Sequence, residues 1–273
     1  MALLGRRVCV AFPDTVLEEK DSLREKTVKL GTIARACSIY RVDIVQVFDD
    51  GGGGQERGLI VKVLEFLETP QYLRRRIYPI DEALRFAGAL PPLRIPSHKS
   101  RTRLDDLKVG EAREGVSNGD GTADIGLEKA IRVDGPLPRG RVTLRIVSKS
   151  PLVGETVSRE QLKDYWGYEV QCVQPSEVLG GGGEWLNVAT SRLGRPLATE
   201  LGRLRSSVSG ARAVRLIFGS PSRGLFDIMG SDLERRADHV VNLFPEQGVV
   251  SVRTEEALFA GLNLLGLLSV EKA

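Results

Sequence analysis

The sequence predicts an α/β protein built on a mostly parallel sheet, with a small β-rich segment inserted into it. Apolar, strand-like runs alternate with helical periods before residue 98 and again after residue 166. Between those points every strong helical period is lost. Hydrophobic residues make up 41% of the 273 and charged residues 27%, the composition of a folded globular chain and not of a disordered one.

Residues 8–12 read as a short buried strand. Leu30, Ile33, Ala34 and Cys37 then recur at helical spacing, and Ser22 with Glu25 offers a capping box at the start of that helix. Residues 43–48 give a second strand, 51–54 a glycine loop, and Ile60, Val63, Leu64 and Leu67 one face of another helix. From about residue 98 to 165, short β-prone runs such as 141–147 are separated by Gly, Asn, Asp and Pro turns. That pattern suits a small β-barrel or a cluster of hairpins. Strands are expected again at 167–173, 185–189, 214–218 and 239–244. In the closing helix Thr254 is the expected cap, and Glu255 and Glu256 suit the positive end of its dipole. Leu258, Leu262 and Leu265 share one face, and Leu264, Leu267 and Leu268 widen it beyond what one sheet surface needs, which predicts burial on two sides, across a dimer. The chain accordingly divides into residues 1–97, an inserted segment 98–166, and residues 167–273.

Lys and Arg outnumber Asp and Glu by only 39 to 36, so bulk charge does not decide for nucleic acid. Cys9, Cys37 and Cys172 are odd in number and far apart, which fits reduced thiols packed in a core. The longest apolar stretch, 257–270, is too short for a bilayer and carries Asn263, and residues 1–12 lack a signal-peptide core; a cytoplasmic protein with no membrane association is expected. His98 and His239 are the only histidines and no cysteine pair has ligand spacing, so no metal site and no catalytic triad is expected. The glycine runs 51–54 and 180–183 match neither a dinucleotide fingerprint nor a P-loop, which disfavours a nucleotide-dependent oxidoreductase.

Three expected strand ends lead into loops bearing Gly, Ser or Pro: Thr190-Ser191-Arg192-Leu193-Gly194, Phe218-Gly219-Ser220-Pro221, and Asn242-Leu243-Phe244-Pro245-Glu246-Gln247-Gly248. In open α/β sheets ligands sit outside the carboxyl ends of strands, so these loops are the candidate site, against the plainer reading of three ordinary turns. Tyr72-Leu73-Arg74-Arg75-Arg76 can stack on a base and neutralise phosphates, or be a solvated turn. Lys99, Arg101 and Arg103 beside His98 can contact phosphate or form a linker, and Arg139, Arg141 and Arg145 add positive charge to the inserted segment.

The order and spacing of several strings carry a resemblance across almost the whole chain. They are Ile33-Ala34-Arg35-Ala36-Cys37 with Val42-Asp43; Thr69-Pro70-Gln71-Tyr72-Leu73-Arg74; Phe86-Ala87-Gly88 with Pro92-Leu93; Tyr165-Trp166-Gly167-Tyr168; Thr190-Ser191-Arg192; Phe218-Gly219; and Gln247-Gly248 with Arg253-Thr254-Glu255-Glu256-Ala257. Together they resemble the SPOUT, or α/β-knot, RNA methyltransferases of the archaeal and eukaryotic branch. The resemblance implies a trefoil-knotted, mostly parallel sheet with an inserted OB-like β-barrel, a homodimer, S-adenosyl-L-methionine as cofactor, and RNA, ribosomal or transfer, as substrate. By matching position it implies cofactor contacts at Arg192, Gly219, Asn242, Leu243 and Thr254, with Thr190, Ser191, Phe218, Ser220, Pro245, Gln247 and Gly248 beside them. A bulky side chain at Gly219 is expected to enter the cofactor slot. Arg74 and Arg192 are the expected catalytic residues, orienting the acceptor or answering its developing charge, and no general base is implied. Val249 and Val250 depart from the family, where more polar residues are expected. A non-catalytic RNA-binding protein on the same fold is the alternative.

Overall fold

Continuous apolar runs do become parallel strands here. The computed structural model describes residues 5–52, 54–100, 103–180 and 183–269. Arg101, parts of both glycine runs and Val270 therefore lie outside the described residues. The chain passes between two units at Phe66, Ala83, Pro92 and Tyr168. In chain order the strands are β1 (Arg7–Pro13), β2 (Ile44–Phe48), β3 (Ala112–Ser117), β4 (Thr122–Asp124), β5 (Ile131–Asp134), β6 (Arg141–Lys149), β7 (Leu152–Thr156), β8 (Glu169–Val173), β9 (Leu186–Pro196), β10 (Ala213–Ile217) and β11 (His239–Asn242). The α-helices are α1 (Leu23–Ile39), α2 (Arg57–Glu68), α3 (Gln71–Ile77), α4 (Pro175–Val178), α5 (Leu197–Gly210), α6 (Leu225–Met229), α7 (Asp232–Arg236) and α8 (Thr254–Ser269).

The larger unit holds a six-stranded sheet in the order β11-β9-β10-β1-β2-β8, with every pair parallel. Its inner strands β1, β10 and β2 are buried along nearly their whole length, as a sheet covered on both faces requires. Ser22 caps α1 in both directions: Glu25 N–H donates to its hydroxyl at 3.2 Å, and its own N–H donates to Glu25 Oε2 at 3.3 Å. This fixes the phase that buries Leu30, Ile33, Ala34 and Cys37. Lys29 is buried on the same helix, its Nζ 2.7 Å from Glu19 and 3.1 Å from Glu255, so an ion-paired cation ties α1 to the first turn of α8. Of the cysteines, Cys9 and Cys37 are buried but Cys172 is exposed, contrary to the core role expected of it. The reason is its place on β8, an edge strand of the sheet.

The smaller unit contains a closed five-stranded barrel, β3-β4-β5-β7-β6, around Leu107, Ile125, Ile131, Leu144 and Ile146. A polar cluster outside that apolar core corrects the reading of the arginines. Arg141 does not add to a charged surface: it lies between two buried carboxylates, Nη1 donating to Glu68 Oε2 and Nε to Glu114 Oε2, both at 2.5 Å. Arg159 approaches Glu68 at 3.4 Å, and the Thr143 hydroxyl and Trp166 indole N–H donate to Glu114. Burial pushes the Glu68 carboxyl up from its ordinary value, against the pull of Arg141 and Arg159. Tyr72 and Arg74 sit on α3, a helix and not a solvated turn. The Tyr72 hydroxyl donates to the Glu114 carbonyl at 2.8 Å and Arg113 lies over its ring, so that face is not offered to a base. His98 is half-buried, its Nε2 2.8 Å from the Glu68 carbonyl. A carbonyl only accepts, so Nε2 carries the proton, and burial pulls the imidazole down to about 4.

Arg141→Met leaves two buried carboxylates facing each other with only the more distant Arg159 as a cation. It is expected to lower the unfolding free energy by about 3–5 kcal/mol in urea denaturation. An unchanged midpoint would show that Arg159 alone suffices to neutralise them.

Candidate functional site

The strand β9 does not run straight. Val188 and Ala189 pair with His239 and Val240, but Val241, the very next residue of β11, pairs with Arg195. Thr190–Gly194 thus leave the ladder and return to it, making a loop at the carboxyl end of a strand flanked by β10 and β11. The return is tight, because a Cβ on Gly194 would lie 2.8 Å from the Val241 carbonyl carbon and 2.9 Å from the Val240 oxygen. Glycine is the residue that lets two backbones come this close.

Beside that loop lie the segments that follow β10 and β11, and side chains brace the three together. Asn242 donates from Nδ2 to the Arg192 carbonyl at 3.0 Å and accepts at Oδ1 from Phe244 N–H at 2.9 Å. The Thr190 hydroxyl donates to the Ile217 carbonyl at 3.1 Å. The Thr254 hydroxyl donates to the Gly219 carbonyl at 3.1 Å, so it holds the β10 loop and does not cap α8; Glu256 instead accepts from Arg253 N–H at 2.9 Å. Gln247 donates to the carbonyls of Val249 and Val250, and Arg192 reaches Val250 O at 3.3 Å.

Between these walls is a cleft of about 330 Å³. That is in the range of small-molecule sites. Every residue expected to hold the cofactor lines it except Pro245 and Gly248: Thr190, Ser191, Arg192, Phe218, Gly219, Ser220, Asn242, Leu243, Gln247 and Thr254 are all present. Sequence reasoning missed Leu225, Phe226 and Asp227 at the start of α6, and Val252 and Ala257 near α8. No loop signature marks those positions; they arrive because the β10 loop folds back on Arg223. Gly219 is tight for a different reason from the one expected. A Cβ there would meet the Arg223 carbonyl at 2.9 Å, so a side chain is refused by its own loop before it can reach the cleft.

Arg74 is not among the lining residues. Its guanidinium is buried in the barrel unit, donating to the Thr69 carbonyl at 2.9 Å and the Leu67 carbonyl at 3.1 Å over the Phe66 ring. That geometry makes it a cap for the end of α2 and not a group presented to a substrate. Next to the β10 loop, Asp14, Asp49 and Asp50 bring carboxylate oxygens within 4.8 Å of one another. Arg57 pairs with Asp14 at 2.6 Å and Asp49 at 3.1 Å, while Arg223 donates to the Asp50 carbonyl at 2.6 Å, anchoring the loop to the end of β2. Among the described residues no helix is long and apolar enough to cross a membrane.

A ligand cleft at the carboxyl ends of parallel strands, in a chain that also carries a closed barrel, defines an α/β binding scaffold of the kind that many enzymes use. A family model described as "Putative RNA methyltransferase" matches residues 7–265, and the chain belongs to that RNA methyltransferase family. An uncharacterised protein of Halobacterium salinarum is 33% identical over 94% of this chain and 98% of its own. The 28S rRNA (uridine-N(3))-methyltransferase of Homo sapiens is 29% identical over 94% of this chain and 77% of its own. A solved methylase-family structure from Neisseria gonorrhoeae, at 10% identity and a TM-score of 0.39 over 97% of this chain and 83% of its own, is too distant to argue from.

Gly194→Ala forces the returning half of β9 away from β11. Overpacking of this kind costs about 1–3 kcal/mol, to be read as a lower melting temperature with the sheet otherwise retained. A melting temperature equal to that of the parent would mean the loop returns to the ladder by another route.

Proposed function

We propose that this chain transfers a methyl group from S-adenosyl-L-methionine to RNA, at N3 of a uridine in ribosomal RNA, working as a homodimer on a knotted SPOUT fold. The observation that carries the reading is the cleft itself, whose walls are the loop within β9 and the braced segments after β10 and β11. Its shape suits an adenosyl group: Leu225, Leu243 and Ala257 give apolar surface, Thr190, Ser191 and Ser220 give polar groups, and Gly219 lets the backbone turn close. The family membership supports methyl transfer, and the activity for which the human relative is named supports the uridine acceptor.

When bound, the cofactor supplies an electrophilic methyl carbon on a sulfonium. The chain's part is to hold the acceptor nitrogen in line with it and to keep water out. Arg192, an exposed residue of the cleft lining that reaches Val250 O, would orient the acceptor or answer its charge. Leu193 is 72% exposed and Val250 88%, apolar side chains on the rim that a second copy of the chain would cover. The barrel of the second unit serves as an OB-like RNA-binding module.

Isothermal calorimetry with S-adenosyl-L-methionine and transfer of a labelled methyl into unmodified large-subunit rRNA test this together. Micromolar binding and label recovered as 3-methyluridine are expected; absence of binding at millimolar cofactor would leave a non-catalytic RNA-binding protein as the better account. Arg75 and Arg139, exposed in the barrel unit, are expected to contact phosphate. Replacing both by Ala should weaken RNA binding and reduce the slope of log affinity against log salt by about 2, with cofactor affinity unchanged.

A further inference from the structure

Transfer to a ring imide nitrogen has a requirement that the cofactor cannot meet: the N–H proton must go somewhere. Among the described residues lining the cleft, Asp227 is the one carboxylate and Arg192 the one cation. The remaining polar side chains there are hydroxyls and amides, which do not accept a proton at neutral pH. We infer that Asp227 is the proton acceptor for methyl transfer, an inference that rests on the reaction proposed above.

The carboxylate is held in a definite attitude. Gly224 N–H donates to Asp227 Oδ2 at 2.9 Å, bracing the side chain across the first turn of α6. Oδ1 takes no hydrogen bond from the described residues and is left for an incoming donor. The turn that carries it is itself fixed: Ser220 N–H donates to the Arg223 carbonyl at 3.0 Å, Arg223 N–H donates to the Ser220 hydroxyl at 3.1 Å, and the Arg223 guanidinium is tied to the Asp50 carbonyl. One oxygen anchored and one open, on a rigid turn at the wall of the cleft, is the geometry of a positioned general base. In the step, the N3 proton passes to Asp227 as the nitrogen pair forms the new N–C bond. The pair of the broken C–S bond stays on sulfur, giving the neutral thioether, and the proton leaves to water after release.

Asp227→Asn tests this with little risk to the fold, because an amide oxygen can still accept from Gly224 N–H. Cofactor affinity by calorimetry and the melting temperature are expected to stay at the parent's values. The rate of methyl transfer at neutral pH should fall by about 10²- to 10⁴-fold. In the variant the rate should then climb about tenfold per pH unit, as hydroxide takes over from the missing base, and Asp227→Glu should restore part of it. RNA carrying 5-fluorouridine, whose N3–H is more acidic, should suffer a much smaller loss. A variant that keeps the parental rate and pH profile overturns the inference while leaving the methyltransferase reading intact. So does one that loses affinity for S-adenosyl-L-methionine but not for its neutral thioether product, which would make Asp227 a partner of the sulfonium. A parent chain that neither binds the cofactor nor methylates RNA overturns both.

Discussion

The departure and return of β9 is the constraint from which the cleft follows. A strand that simply ended at Ala189 would leave its loop free to wander. A strand that re-enters the ladder at Arg195, against Val241, pins both ends of the five intervening residues. The loop can then serve as a wall, and the segments after β10 and β11 have something fixed to lean on. Asn242 and Thr254 are the clearest sign of this: their side chains satisfy carbonyls of neighbouring loops, so that backbone groups near the cleft are paired and the walls hold their shape without a ligand.

The two units handle charge in different ways. In the sheet unit, ion pairs such as Lys29 with Glu19 and Glu255, or Arg57 with Asp14, sit where helices and strand ends meet and fasten them. In the barrel unit, Arg141 is held between the two buried carboxylates of Glu68 and Glu114. Taking such charges out of water is costly, and their mutual attraction has to offset that cost.

Much of this was legible in the sequence where the signal is local. Ser22 and Glu25 are three residues apart, so their capping box could be read directly, and the continuous apolar runs of β1, β2 and β10 announce buried parallel strands. The loops of the cleft were legible as strand ends rich in small residues. What escaped was set by contacts distant in sequence. Arg141 reads as surface charge because its partner Glu68 is 73 residues away, and Tyr72 reads as a base-stacking ring because Glu114, which takes its hydroxyl, is 42 away. The second half of β9 escaped because Arg195 and Pro196 are exposed and carry no apolar alternation. Asp227 escaped because it lies beyond the turn, on a short helix whose approach to the cleft depends on how Arg223 folds back.

The central place of β1 has a consequence for how the molecule comes into being. Arg7 pairs with Ala213, so the innermost ladder of the sheet joins segments about 200 residues apart. β1, apolar along nearly its whole length, can pair with β2 early, but its other edge stays open until the barrel segment and β9 have been made and β10 follows. The strands β9 to β11 complete the sheet and bring the walls of the cleft with them, so a chain lacking them would expose strand edges instead of forming a smaller working protein.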